Sequence, residues 1–134
     1  MRTDAILPAD PRVSRVTGRV HTGSIATGDW LDVCHHAELE PERGACALVR
    51  GQQVALFRTH DGTVHALSNY DPFSGAYVLS RGIVGTRGDT PTVASPMYKQ
   101  VFDLRTGRCL DDPEVTVPAY PVRVRDGRVE VALP

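Results

Sequence analysis

Cys34, His35 and His36 are the one place where thiol and imidazole side chains adjoin. A thiolate with two imidazoles is a ligand set that zinc accepts. The spacing argues against it, because neighbours in an extended chain point to opposite faces. Neither a helical i, i+4 pair nor a C-x-x-C spacing is present. His60 and His65 flank a turn and read as surface or strand residues. Ser80 and Ser95 lack the G-x-S-x-G setting of an exposed nucleophile. The run Arg81–Gly88 is glycine-rich but lacks the G-x-x-x-x-G-K-[ST] order of a phosphate-binding loop, and reads as a turn-rich connection. Asp111 and Asp112 precede Pro113, which makes them turn residues rather than an acid–base pair. No residue is therefore assigned a catalytic role, and none a cofactor or a metal.

The elements that would position any site read as β. Trp30–Cys34 is a short strand-like run, and His35–Glu42 is polar with room for one helical turn before Pro41. Ala45–Arg50 and Gln53–Arg58 flank Gly51–Gln52, the pattern of a hairpin with a two-residue turn. Asp61–Gly62 marks a further turn before Thr63–Leu67. Val122, Val124, Val129 and Val131 alternate with Arg123, Arg125, Arg128 and Glu130 around Asp126–Gly127. That period of two predicts a hairpin with its valines on one face and its charges in water. Ten prolines and twelve glycines among short strands predict an all-β sandwich or barrel of antiparallel strands. Residues 1–26 lack a sustained period and read as a loosely held N-terminal extension, with a short strand as the alternative, ahead of a domain over 27–134.

Bulk properties narrow the class. The 134 residues suit one domain, and a net charge of −1 offers nothing to draw the chain onto nucleic acid or an anionic membrane. No apolar run approaches the roughly 20 residues of a membrane span, and no signal-type segment opens the chain. A cytoplasmic location is the expectation. Three cysteines without a framework spacing read as structural thiols.

Two further stretches carry no obvious chemistry of their own: Asp71-Pro72-Phe73, and Ser95-Pro96-Met97-Tyr98 followed by Phe102-Asp103. They resemble the two cluster-binding loops of a Rieske iron–sulfur domain, in which Cys-x-His and Cys-Pro-x-His-x-x-x-Phe-Asp supply two thiolates and two imidazoles. Asp71, Phe73, Ser95 and Tyr98 stand at the four ligand positions and supply neither. From about Asp29 to Leu133 the chain resembles the small subunit of the cytoplasmic NAD(P)H-dependent assimilatory nitrite reductase. The resemblance lies in Asn69-Tyr70-Asp71-Pro72-Phe73, Leu79-Ser80-Arg81-Gly82, Ser95-Pro96-Met97-Tyr98-Lys99-Gln100 and Gly107-Arg108-Cys109-Leu110-Asp111-Asp112. Residues 1–26 extend beyond the family's usual start, and Tyr98 replaces an expected basic residue.

The resemblance implies a Rieske-like fold without a cluster. It also implies a partner: a large catalytic subunit carrying FAD, a four-iron cluster and sirohaem, which reduces nitrite to ammonium. Phe73, Met97, Tyr98 and Lys99 would form a docking tip for that subunit, since aromatic and Met side chains are favoured at interface cores. The other position for Phe73 is an inward one, filling the space a cluster would take, which does not exclude a share in shaping the docking surface. Two other functions stand beside this one: a Rieske-type ferredoxin that carries electrons, and a Rieske-like binding module of another oxidoreductase.

Overall fold

The structure, a computed structural model, describes residues 13–15 and 19–21 as backbone and residues 30–134 in full. Most of the expected extension over 1–26 lies outside the described residues. The two pieces of it that are described are strands β1 (Val13–Arg15) and β2 (Arg19–His21). β3 (Trp30–His35), β4 (Arg43–Val49), β5 (Gln52–Arg58) and β6 (Val64–Ser68) follow. Next come β7 (Tyr70–Asp71), β8 (Ala76–Tyr77), β9 (Ile83–Arg87), β10 (Thr90–Ala94) and β11 (Val101–Asp103). β12 (Ala119–Tyr120), β13 (Val122–Arg125) and β14 (Arg128–Ala132) complete the order. The class is all-β, as expected, with single 3₁₀ turns at His36–Glu38 and Leu79–Arg81. The sheets are open rather than closed into a barrel.

The sheet β1-β4-β5-β6-β12 is the middle layer. The sheet β13-β14-β3-β2 covers one of its faces and β11-β10-β9 the other. β5 shows why the sequence demands this. Its alternate residues Val54 and Leu56 enter a core with Leu31, Val129 and Val131. Ala55 and Phe57 enter a second core with Val93, Phe102 and Leu104. A strand that is apolar at every position from Val54 to Phe57 suits one covered on both faces. Gly44, opposite Phe57, has no room for a side chain between that ring and the Ser80 carbonyl.

Three expectations shift in detail. The β4–β5 turn is Arg50–Gly51, with φ of +51° and +79°, one residue earlier than expected. Arg50 takes the left-handed position, so that Gln52 joins the strand opposite Val49. Ile83–Arg87 is not a turn-rich connection but strand β9, paired antiparallel with β10. In the last hairpin Asp126 and Gly127 do take the positive φ values of a type I′ turn, +53° and +76°. The charges there are not all in water. Glu130 is buried and accepts a 2.6 Å bond from Arg123, whose guanidinium lies 4.4 Å from the centre of the Trp30 ring. Val124, expected on the apolar face, is exposed. A shift in the β14–β3 pairing at Val129/Glu130 accompanies this departure from simple alternation.

Candidate functional site

The residues that could do chemistry by type do not come together. Cys34 faces the core and His35 faces solvent, while His36 bonds through Nε2 to the Gly62 carbonyl at 2.8 Å. Burial, with the Glu38 carboxylate next, pushes the Cys34 thiol up to about 11, away from the reactive thiolate. Cys46 and Cys109 are also buried and free. Among the described residues no group of three or more His, Cys, Asp or Glu side chains is arranged to hold a metal ion. His60, which is exposed, and His65 on β6 line a cleft with Asp61, Asp89 and Arg105. Desolvation lowers the His65 pKa.

The two loops singled out by the sequence do meet. The first is carried by the β7–β8 hairpin and the second joins β10 to β11. Asn69, buried at the β6–β7 junction, fixes the first. Its Nδ2 donates to Gln53 Oε1 at 2.9 Å and to the Tyr77 carbonyl at 3.1 Å, and its Oδ1 accepts from Ser80 N at 2.7 Å. Within the loop, Asp71 Oδ1 accepts from Phe73 N at 2.9 Å, and Gly75, at φ +76°, donates to the Asp71 carbonyl. In the second loop Ser95 N donates to the Gln100 carbonyl and Lys99 N to the Ser95 carbonyl. Met97 N donates to Ser95 Oγ at 3.2 Å.

One side-chain bond joins the loops. Ser95 Oγ donates to Asp71 Oδ2 at 2.6 Å, and both residues are buried. Phe73 turns inward against the second core, its ring centre 6.1 Å from that of Phe102. Of the two positions weighed for Phe73, the ring takes the inner one and is half-buried there. Tyr98 points outward with 61% of its surface exposed, and Met97 and Lys99 are exposed beside it.

The sequence reading missed three other exposed side chains. Tyr70 and Tyr77 lie opposite each other on β7 and β8 with ring centres 5.1 Å apart. Ile83, at the start of β9, is 75% exposed. Of the six large apolar residues exposed among those described, five (Tyr70, Tyr77, Ile83, Met97 and Tyr98) fall on these loops, their hairpin or the adjoining strand start. Such a concentration marks a contact surface better than scattered exposure would. The available signal was strand alternation: Asp71 points in, so its neighbour Tyr70 must point out.

Layered sheets, antiparallel except where β1 joins β4 in parallel, with two bonded loops at one end define a Rieske-like domain. A family model described as the Rieske-like [2Fe-2S] domain matches residues 29–132. The chain belongs to the family of nitrite reductase (NADH) small subunits: the Escherichia coli K12 protein of that name is 44% identical over 76% of this chain and 95% of its own. A Mycobacterium tuberculosis crystal structure described as an NADH-dependent nitrite reductase small subunit is 55% identical. It superposes with a TM-score of 0.76 over 78% of this chain and 95% of that one. A third relative is larger. In Klebsiella oxytoca a chain named nitrite reductase [NAD(P)H] large subunit matches 76% of this chain at 44% identity, over 11% of its own length.

The residues present do not fit the cluster in the domain's description. An iron–sulfur cluster takes thiolates, or imidazoles on one iron of a Rieske centre. Phe73 has no donor atom and lies against Phe102. Asp71 and Ser95 approach each other so closely that no cluster can lie between them.

Proposed function

We propose that this chain is the non-catalytic subunit of an NAD(P)H nitrite reductase, acting in the cytoplasm by docking onto the large subunit through its loop end. It holds no cluster, FAD or sirohaem. Reduction of nitrite to ammonium, with the FAD, four-iron cluster and sirohaem expected for it, falls to the large subunit. The observation that carries the reading is the Asp71–Ser95 bond. It fills the place where cluster ligands would converge, yet keeps the two loops together beneath an exposed aromatic and aliphatic surface. A function in electron transfer would need the ligands; a function in contact needs only the surface. The Klebsiella oxytoca match supports the same partner, because there a homologous segment is covalently part of a chain named as the large subunit.

The test is nitrite-dependent NAD(P)H oxidation by the large subunit with and without this chain, beside a visible spectrum of the freshly purified chain. We expect a colourless sample that raises the yield or turnover of the large subunit. A brown sample with a structured spectrum would return the Rieske ferredoxin reading to first place. A colourless sample without effect on the large subunit would favour a binding module of another oxidoreductase.

A further inference from the structure

The five exposed apolar side chains of the loop end do not share one face. Tyr70 and Asp71 are successive residues of β7, so their side chains leave opposite faces of the β7–β8 hairpin. Asp71 leaves toward the second loop, where it is fully buried and accepts the Ser95 hydroxyl at 2.6 Å. Tyr70 therefore leaves on the face turned away from the second loop. Tyr77, directly opposite on β8, leaves with it. Met97 and Tyr98 belong to the second loop itself. Ile83 stands at the base of that loop, paired with Ala94, and faces out because its neighbour Val84 packs into the core.

The tyrosine pair on the outer face is held in place. Its ring centres lie 5.1 Å apart with planes tilted by 58°, a favourable aromatic arrangement. The Tyr77 carbonyl accepts from Asn69 Nδ2 at 3.1 Å, and the Tyr70 amide donates to Ser68 Oγ at 3.2 Å. Tyr70 reaches along the hairpin toward its turn, where a Cβ on Gly75 would lie 3.9 Å from the phenol oxygen. Even so, 39% of Tyr70 and 55% of Tyr77 remain exposed. Rings already fixed lose little freedom when a partner covers them, which is what an interface anchor requires.

We infer that the β7–β8 hairpin enters a cleft of the large subunit, one apolar wall covering Tyr70 and Tyr77 and the facing wall covering Ile83, Met97 and Tyr98. The inference rests on the docking reading above and adds the shape and chemistry of the receiving surface. The occupant is the large subunit, since a homologous segment belongs to a chain of that name in Klebsiella oxytoca. A flat surface laid over the second loop would cover Met97 and Tyr98 and leave the tyrosine pair in water. Two walls cover all five side chains. The wall over the pair must also offer hydrogen-bond acceptors, because a phenol O–H is normally partnered once it is buried.

The experiment measures binding of the full chain to the purified large subunit for Tyr70→Ser, Tyr77→Ser, Met97→Ser and Tyr98→Ser. Each is expected to weaken binding about five- to thirtyfold, as truncation of an anchor does. Tyr77→Ser combined with Tyr98→Ser should show the product of the two single effects, because residues that meet separate walls do not couple. Thermal unfolding of each variant alone separates a lost contact from a lost fold. Hydroxyl-radical oxidation of the wild-type complex, read residue by residue, needs no substitution: Tyr70, Tyr77, Met97 and Tyr98 should all be protected relative to the free chain. Protection on one side only, with the other side's variants binding as wild type does, refutes the cleft and leaves docking by the protected side. If that unprotected side is Tyr70 and Tyr77, the pair only braces its hairpin. Protection on neither side, with every variant binding normally, overturns the docking reading itself.

Discussion

Replacing Ser95 with alanine should separate the two loops without dismantling the sheets. The hydroxyl donates to a buried carboxylate at 2.6 Å and accepts from Met97 N at 3.2 Å. A hydrogen bond to a charged group contributes about 1.5–3 kcal/mol, and an ordinary one about 0.5–1.5 kcal/mol. The Met97 amide lies at the surface, where water can replace the lost partner. The Asp71 oxygen lies inside, where nothing replaces it, so its bond dominates. The expected loss is about 2–4 kcal/mol, a melting-temperature drop on the order of 10 °C for a domain of this size. Chemical denaturation gives the free energy, and amide exchange gives its location. Exchange should quicken first at Met97 and Lys99, whose amides bond Ser95. A double-mutant cycle with Asp71→Ala isolates the pair, since the loss of the Phe73 N bond cancels between its two legs. Coupling of about 1–3 kcal/mol is expected for groups in contact. Additivity of the two substitutions to within about 0.5 kcal/mol would refute the view that this bond clamps the loops.

Three further outcomes follow from neighbouring residues. Phe73→Ala removes a half-buried ring from Phe102 and should cost about 2–3 kcal/mol, below the range for a fully buried phenylalanine. Wild-type stability with lost binding would instead return Phe73 to the exposed tip. Asn69→Ala takes the acceptor from Ser80 N and the nearer of two donors from Gln53 Oε1, leaving it Cys46 Sγ at 3.7 Å, and should cost about 2–4 kcal/mol in urea unfolding; a loss under about 0.5 kcal/mol would mean water replaces the amide. His65 has a pKa lowered by desolvation, so the unfolded chain binds its proton more readily. Stability should therefore fall as pH drops below the unfolded value of about 6.5, until the folded value is passed. His65→Gln should flatten the curve in that window; an unchanged curve would show that His65 is as protonatable folded as unfolded.

How legible this was depended on whether the determining contact was local and plainly marked. Asp126–Gly127 between alternating valines announces its hairpin, because both central residues must take positive φ and neither resists it. The β4–β5 turn was displaced by one residue because Arg50, a poor candidate by type, takes the left-handed position instead of passing it to Gln52. Ile83–Arg87 looked like turns because Gly82, Gly85 and Gly88 punctuate it. Its pairing with β10 is itself local, a hairpin across Gly88–Asp89 whose two-residue signal the flanking glycines obscured. Glu130 reads as a solvent residue until Arg123, opposite on β13, is seen to bond it inside. At the loops, the sequence revealed which four positions lack ligands. It did not reveal that two of them bond each other, that the third fills a core and that only the fourth faces outward.

Those separate fates explain how the loops can lose a cluster and keep their shape. Few regular strand bonds hold the loops, so they need a crosslink at the centre and filling beneath. The Asp71–Ser95 bond supplies the first and Phe73 against Phe102 the second, while Asn69 holds the loop base. The division also predicts what each position tolerates. A substitution at Asp71, Ser95 or Phe73 should appear in stability before it appears in binding, because each acts on the loops' shape from within. A substitution at Tyr98 or Lys99 should change binding with stability unmoved, because each projects from a frame that the other three maintain. Measuring both quantities for all five residues tests that division: a binding loss at Ser95→Ala larger than its unfolding accounts for would mean that the clamp is itself part of the contact.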